Sequence, residues 1–177
     1  MVKLDNNETI LVEKQLSILN EINTICLNLT IQLWLRGGWA IDFLLGKVTR
    51  EHSDIDLVTY IQYREKLEWA MVNAGFNKIP VSMLQTDFIK DQVEVSFVFV
   101  RITEEGKIIA NGFPAWEWRK DALPIQQYDL KGISINVLNP YQLLEEKKVY
   151  EKGTGRKLRP KDIESMKIIQ GMIDEIS

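Results

Sequence analysis

The sequence predicts an α/β domain: a small mixed or antiparallel central sheet flanked by helices, with a helical tail. Three observations predict it. Apolar residues recur at helical spacing over 8–29, runs rich in Val, Ile and Phe alternate with turn signals from 31 to 138, and two amphipathic stretches close the chain.

The elements follow in order. Ile10, Leu11, Leu16, Leu19, Ile22, Ile25, Cys26 and Leu29 mark one apolar helical face. IQLWLR (31–36) reads as a strand that breaks at Gly37-Gly38, and WAIDFLLG as a short helix stopped by Gly46. After the loop KVTREHS, DIDLVTY forms a second strand, and QYREKLEWAMVNA a helix ended by Gly75. FNKIPVSM, TDFIK and QVEVSFVFVRI are strand candidates, EEGK is a turn and KIIANG a short return strand. FPAWEWRKDALP reads as irregular, and QQYDLKGISINVL as a hairpin pivoting at Lys131-Gly132. The helices PYQLLEEKKVYEK and PKDIESMKIIQGMIDEI end the chain, joined by the basic loop GTGRKLR (153–159). The expected organisation is one compact unit, a core over 1–138 with a helical subregion over 139–177 packed on it.

Composition narrows the chemistry. A net charge of −3 argues against a nucleic-acid partner, which calls for a basic face. The opening MVKLDNNETI lacks a basic-then-apolar leader and no apolar run reaches membrane-spanning length. With a single cysteine, Cys26, the expectation is a cytoplasmic protein without disulfides or a membrane partner. One Cys and one His leave no Cys/His zinc cluster, and no Gly-x-Ser-x-Gly elbow accompanies His52. Acid is plentiful, and carboxylates suit hard cations such as Mg²⁺.

The informative stretch is LRGGWAIDFLLGKVTREHSDIDLV (35–58). A strand running through two glycines into a helix offers close backbone approach and unpaired N–H groups, a phosphate cradle. An isolated Gly-Gly pair more often makes only a tight turn. Asp54 and Asp56 share one strand face, about 6.6 Å apart at 3.3 Å per residue, and can converge on a cation. Glu94 stands alone among apolar residues in QVEVSFVFV, a costly place for a carboxylate without a partner. If its strand lies beside the Asp54–Asp56 strand, the three acids form one cluster.

Gly37-Gly38, a helix, Asp54-Ile55-Asp56 and then Val93-Glu94-Val95 together resemble the nucleotidyltransferase superfamily that includes DNA polymerase β. The longer run GGWAIDFLLGKVTREHSDIDL is similar to the small antibiotic nucleotidyltransferases, both the 2''-aminoglycoside and the lincosamide enzymes. The resemblance covers 33–58, extends through Glu94 and the EEGK turn, and touches RPKDIESMKII near the end.

This resemblance implies a nucleotidyltransferase fold and transfer of a nucleoside monophosphate, AMP from ATP or another NTP, to a hydroxyl of an aminoglycoside-type antibiotic. Gly37 and Gly38 would cradle the β- and γ-phosphates. Asp54 and Asp56 would hold one or two Mg²⁺ ions, and Glu94 would complete the metal site or act as general base. Arg50 would neutralise phosphate charge or hold its loop by a salt bridge. His52 is expected in a structural hydrogen bond, and Lys147 is the tail residue put forward for the triphosphate. Trp116, Glu117 and Trp118 would wall an acceptor site or simply pack. Glu94 stands where Asp is usual, and the gap from Gly38 to Asp54 is longer than the superfamily minimum. The alternatives are a lincosamide acceptor, an antitoxin-like enzyme acting on a partner protein, and a non-catalytic nucleotide-binding descendant.

Overall fold

A computed structural model describes the backbone over residues 6–154 and 158–176. Of the basic connection read at 153–159, residues 155–157 lie outside the described residues.

Helix α1 (Asn6–Asn28) buries Val12, Gln15, Leu19, Ile22 and Cys26, a three-and-four spacing that makes one face. That face packs on α3 (Arg64–Asn73) and on the longest strand, β5 (Val93–Ile102). Burial pushes the Cys26 thiol up to about 12, so it behaves as a small apolar side chain.

The strands form one mixed sheet in the order β3-β4-β5-β2-β1-β9-β8. Strand β1 (Leu33–Arg36) pairs antiparallel with β2 (Ile55–Tyr60) and parallel with β9 (Ile133–Val137). Strand β2 runs parallel to β5, with Ile55 opposite Val95 and Asp56 opposite Ser96. On the other side of β5 lie β4 (Gln85–Lys90) and the exposed edge β3 (Asn77–Pro80). Strand β6 (Ile108–Ala110) pairs with the far end of β5. The stretch expected to be irregular contains a two-residue strand, β7 (Glu117–Trp118), which pairs with β6. Strand β8 (Gln127–Leu130) meets β9 in a hairpin whose turn residues Lys131 and Gly132 both have positive φ.

Helix α2 (Gly37–Leu45) starts at Gly37, two residues before the apolar pattern begins, so both glycines form its first turn. Gly46 ends it in the left-handed region, its N–H donating to the Asp42 and Phe43 carbonyls. Helices α4 (Pro140–Thr154) and α5 (Pro160–Ile176) pack on each other, and α5 packs on α2. No described helix is long and apolar enough to cross a membrane.

Candidate active site

Strand β1 ends where α2 begins, and β2 lies beside β1, so the glycine turn meets the aspartate pair. Gly37 takes a φ of +69°, and a Cβ there would collide with Asp56 Oδ2. Only glycine lets the carboxylate lie this close to the helix start. Gly38 is constrained from the other side: a Cβ there would strike the His52 ring at Nδ1.

Alternation along β2 sends Ile55 and Leu57 into the core and leaves Asp56 partly exposed on the opposite face. Burial pushes the Asp56 carboxyl up to about 7; Arg36 opposes the shift and Asp54 adds to it. Arg36 lies directly across from Asp56 in the β1–β2 ladder. Its Nη1 is 3.9 Å from Asp56 Oδ1, and its Nε donates to both oxygens of Glu146 on α4, at 3.2 and 3.3 Å.

Glu94 departs from expectation. It sits on the strand beside β2, yet it is exposed, and Ser96 rather than Glu94 faces Asp56. Glu94 lies at the open end of β5, one step along the register, and with Asp54 and Asp87 of β4 it lines a cavity of about 120 Å³. Among the described residues no three His, Cys, Asp or Glu side chains converge closely enough to hold a metal ion. The expected single cluster is therefore a pair, Asp54 and Asp56, with Glu94 alongside and turned to solvent. Solvation removes the burial cost that the isolated acid would otherwise incur. The pair still fits a hard divalent cation: its donors are all oxygen, and Arg36, the cation paired with Asp56, stands at 3.9 Å.

His52 makes the expected structural hydrogen bond, to a partner the sequence reading missed. Its Nε2 is 2.6 Å from Asp42 Oδ2, and Thr49 Oγ1 donates to Asp42 Oδ1 at 2.5 Å. Gln15 donates to the His52 carbonyl at 2.8 Å and accepts from Trp39 Nε1 at 3.0 Å. His52 Nδ1, buried beside Gly38, has no hydrogen-bond partner among the described residues. Gly38, Thr49, Arg50, His52 and Ser165 of α5 line a cavity of about 260 Å³. Arg50 Nη1 donates to the Glu51 carbonyl, which leaves Nη2 near Gly38.

Lys147 reaches the neighbouring cavity of about 120 Å³, shared with Arg36, Gly37, Asp56 and Arg159. There it is tied to Asp162 at 2.7 Å, which Arg159 also bonds at 2.9 Å. Trp116, Glu117 and Trp118 wall a larger cavity, about 520 Å³, together with Val98, Glu145 and Glu146. Arg36 lines both of these cavities. A cation ending the apolar strand LWLR immediately before two glycines was the available signal for Arg36.

Comparisons with known proteins fit this geometry. Residues 18–169 match a family model described as aminoglycoside-2''-adenylyltransferase. A 2''-aminoglycoside nucleotidyltransferase of Escherichia coli is 30% identical over 124 residues, covering 70% of this chain and 57% of that protein. The aligned part thus spans little more than half the length of that relative. A lincosamide resistance protein of Staphylococcus haemolyticus is 37% identical over 49 residues, 28% of this chain and 30% of that protein. Among solved structures, ANT(2'')-Ia in complex with adenylyl-2''-tobramycin superposes with a TM-score of 0.78 at 20% identity, covering 90% of each chain. Lincomycin-bound LnuA, a lincosamide antibiotic adenylyltransferase, gives 0.69 at 18% identity, covering 96% of this chain and 98% of that one. At these identities the likeness shows the fold, which is the nucleotidyltransferase fold.

Proposed function

The chain belongs to the aminoglycoside-2''-adenylyltransferase family, and on that premise we propose that it transfers AMP from ATP to a hydroxyl of an aminoglycoside-type antibiotic, releasing pyrophosphate. The observation that carries this reading is the contact of Asp56 with the start of α2 at Gly37, which sets a carboxylate pair beside a backbone phosphate cradle.

Each residue has a role in this reading. Gly37 and Gly38 present the first N–H groups of α2 to the β- and γ-phosphates. Arg50, on the wall of the cavity over Gly38, offsets phosphate charge. Lys147 borders the adjoining cavity and holds α5 through Asp162. Asp54 and Asp56 hold Mg²⁺, and Glu94 is the third carboxylate, beside Asp54. The bound metal would supply charge stabilisation on the phosphoryl oxygens. A carboxylate takes the acceptor hydroxyl's proton as that oxygen attacks the α-phosphate, and positioning does the remaining work.

The cavity walled by Trp116, Glu117 and Trp118 receives the acceptor, its carboxylates suited to a cationic amino sugar. A lincosamide acceptor is the second reading, favoured by the aromatic and aliphatic share of that wall, Val98, Ala110, Trp116 and Trp118.

Mass spectrometry tests this on the purified protein with ATP, GTP, Mg²⁺ and a panel of aminoglycosides and lincosamides, with Asp56→Asn as control. The expected result is one aminoglycoside gaining one AMP with the intact protein alone. Mg-nucleotide binding lost in Asp56→Asn without any modified drug redirects the search to a protein or other acceptor. No nucleotide binding at all refutes the site.

A further inference from the structure

Arg36 is fixed at its backbone and loosely held at its head. Its main chain belongs to β1, opposite Asp56, and forms the N-cap of α2. Its guanidinium is divided between two acids on different elements. The Glu146 contact, one Nε–H shared between both carboxylate oxygens at 3.2 and 3.3 Å, is closer than the 3.9 Å approach to Asp56. All three side chains are largely withdrawn from solvent, with exposures of 22%, 18% and 23% for Arg36, Glu146 and Asp56. Arg36 and Glu146 also line both the cavity over Gly37 and Asp56 and the aromatic cavity.

Charge explains the arrangement. Asp54 and Asp56 are like charges on one strand face, and a guanidinium across the ladder keeps the Asp56 carboxylate supportable in water-poor surroundings. A divalent cation on Asp56 would stand within a few Å of that guanidinium, where repulsion between like charges is strong at partial burial. Glu146, already bonded through Nε, gives the guanidinium a second partner to keep when it leaves Asp56.

We propose that Arg36 is the resident counterion of Asp56 in the metal-free protein: it competes with a divalent cation for that carboxylate and withdraws onto Glu146 when the cation binds. This rests on reading Asp54 and Asp56 as a metal site. Because Arg36 and Glu146 form part of both cavity walls, metal loading then reshapes the acceptor side as well as the phosphate side.

The test is Mn²⁺ binding to the full chain without nucleotide, followed by electron paramagnetic resonance of the free ion. Arg36→Met and Arg36→Gln should each bind Mn²⁺ roughly tenfold tighter than the unaltered protein, the loss of one nearby repelling charge. Arg36→Lys, which keeps the charge, should stay within about threefold. Arg119→Gln is the field control: Arg119 lines the aromatic cavity but pairs with Asp121, and its loss should leave affinity unchanged. Equal tightening by Arg119→Gln would overturn direct competition. Unchanged or weaker binding in both neutral Arg36 variants, with binding still abolished by Asp54→Asn, overturns the counterion role and leaves the metal reading standing. No Mn²⁺ bound by any of these proteins overturns both.

Discussion

His52 Nε2 lies 2.6 Å from Asp42 Oδ2, and neither side chain is more than 4% exposed. The pair fastens the loop between α2 and β2 to the helix that carries the glycines; Thr49 adds a bond to Asp42 and Gln15 one to the His52 carbonyl. That loop runs directly into Asp54 and the start of β2.

Breaking the pair from one side should be costly, because a buried partner is left uncompensated. Asp42→Ala strands both the His52 ring nitrogen and the Thr49 hydroxyl and should lower unfolding free energy by about 2–4 kcal/mol in urea titrations. Thr49→Val removes only one donor and should cost about 1–2 kcal/mol. If Asp42→Ala costs no more than Thr49→Val, the pair is not what holds the loop.

Gly37→Ala tests the approach of Asp56 to the helix start. The left-handed backbone alone costs a non-glycine residue about 1–2 kcal/mol, and the added methyl must also displace the Asp56 carboxylate. Mg-ATP binding, read by calorimetry, should be lost even where the variant stays folded. Gly46→Ala also has positive φ but meets nothing within 4 Å, so it should lose stability and keep nucleotide binding.

Much of this was legible in the sequence because it is local. Apolar spacing marked α1, and Gly37-Gly38 and Asp54-Ile55-Asp56 announced themselves by residue type and alternation. What the sequence left open was register between distant elements. Whether the Glu94 strand lies beside β2, and the ladder that sets Ser96 opposite Asp56, are tertiary facts. Asp42 is the one acid in the apolar stretch WAIDFLLG and Gln15 a polar position of α1, and neither signals a partner locally. Their joint burial with His52 appears only when α1, α2 and the loop meet. The single strand β7 emerged from an irregular stretch because its pairing with β6, not its own propensity, creates it.

Asp56→Asn should stabilise the metal-free protein while abolishing transfer. Burial raises the Asp56 pKa to about 7, above its unfolded value. The stability linked to its proton is therefore full below the ordinary carboxylate range and lost as pH rises through about 7. In chelator at pH 8, Asp56→Asn should melt a few °C higher, with a smaller gain at pH 6, and Arg36 keeps Glu146 as its partner. A lower melting temperature at pH 8 would mean that the ionised carboxylate is better compensated than its burial implies.

Asp162 has the opposite sign. Burial alone would raise its pKa, but hydrogen bonds from Arg159 and Lys147 outweigh that and hold it well below the usual carboxylate range. A depressed pKa contributes stability that is present above the unfolded value, about 3.9, and lost as pH falls toward the folded one. The Asp162 side chain is only 3% exposed, so solvent screens these bonds little. Asp162→Asn should therefore cost about 1–3 kcal/mol near pH 7. That cost should shrink steadily below about pH 4 in paired urea titrations. Because Lys147 borders the cavity over Gly37 and Asp56 and is held there by Asp162, the same variant should also weaken ATP binding near neutral pH. Stability loss without any change in ATP affinity would confine Lys147 to a structural role between α4 and α5.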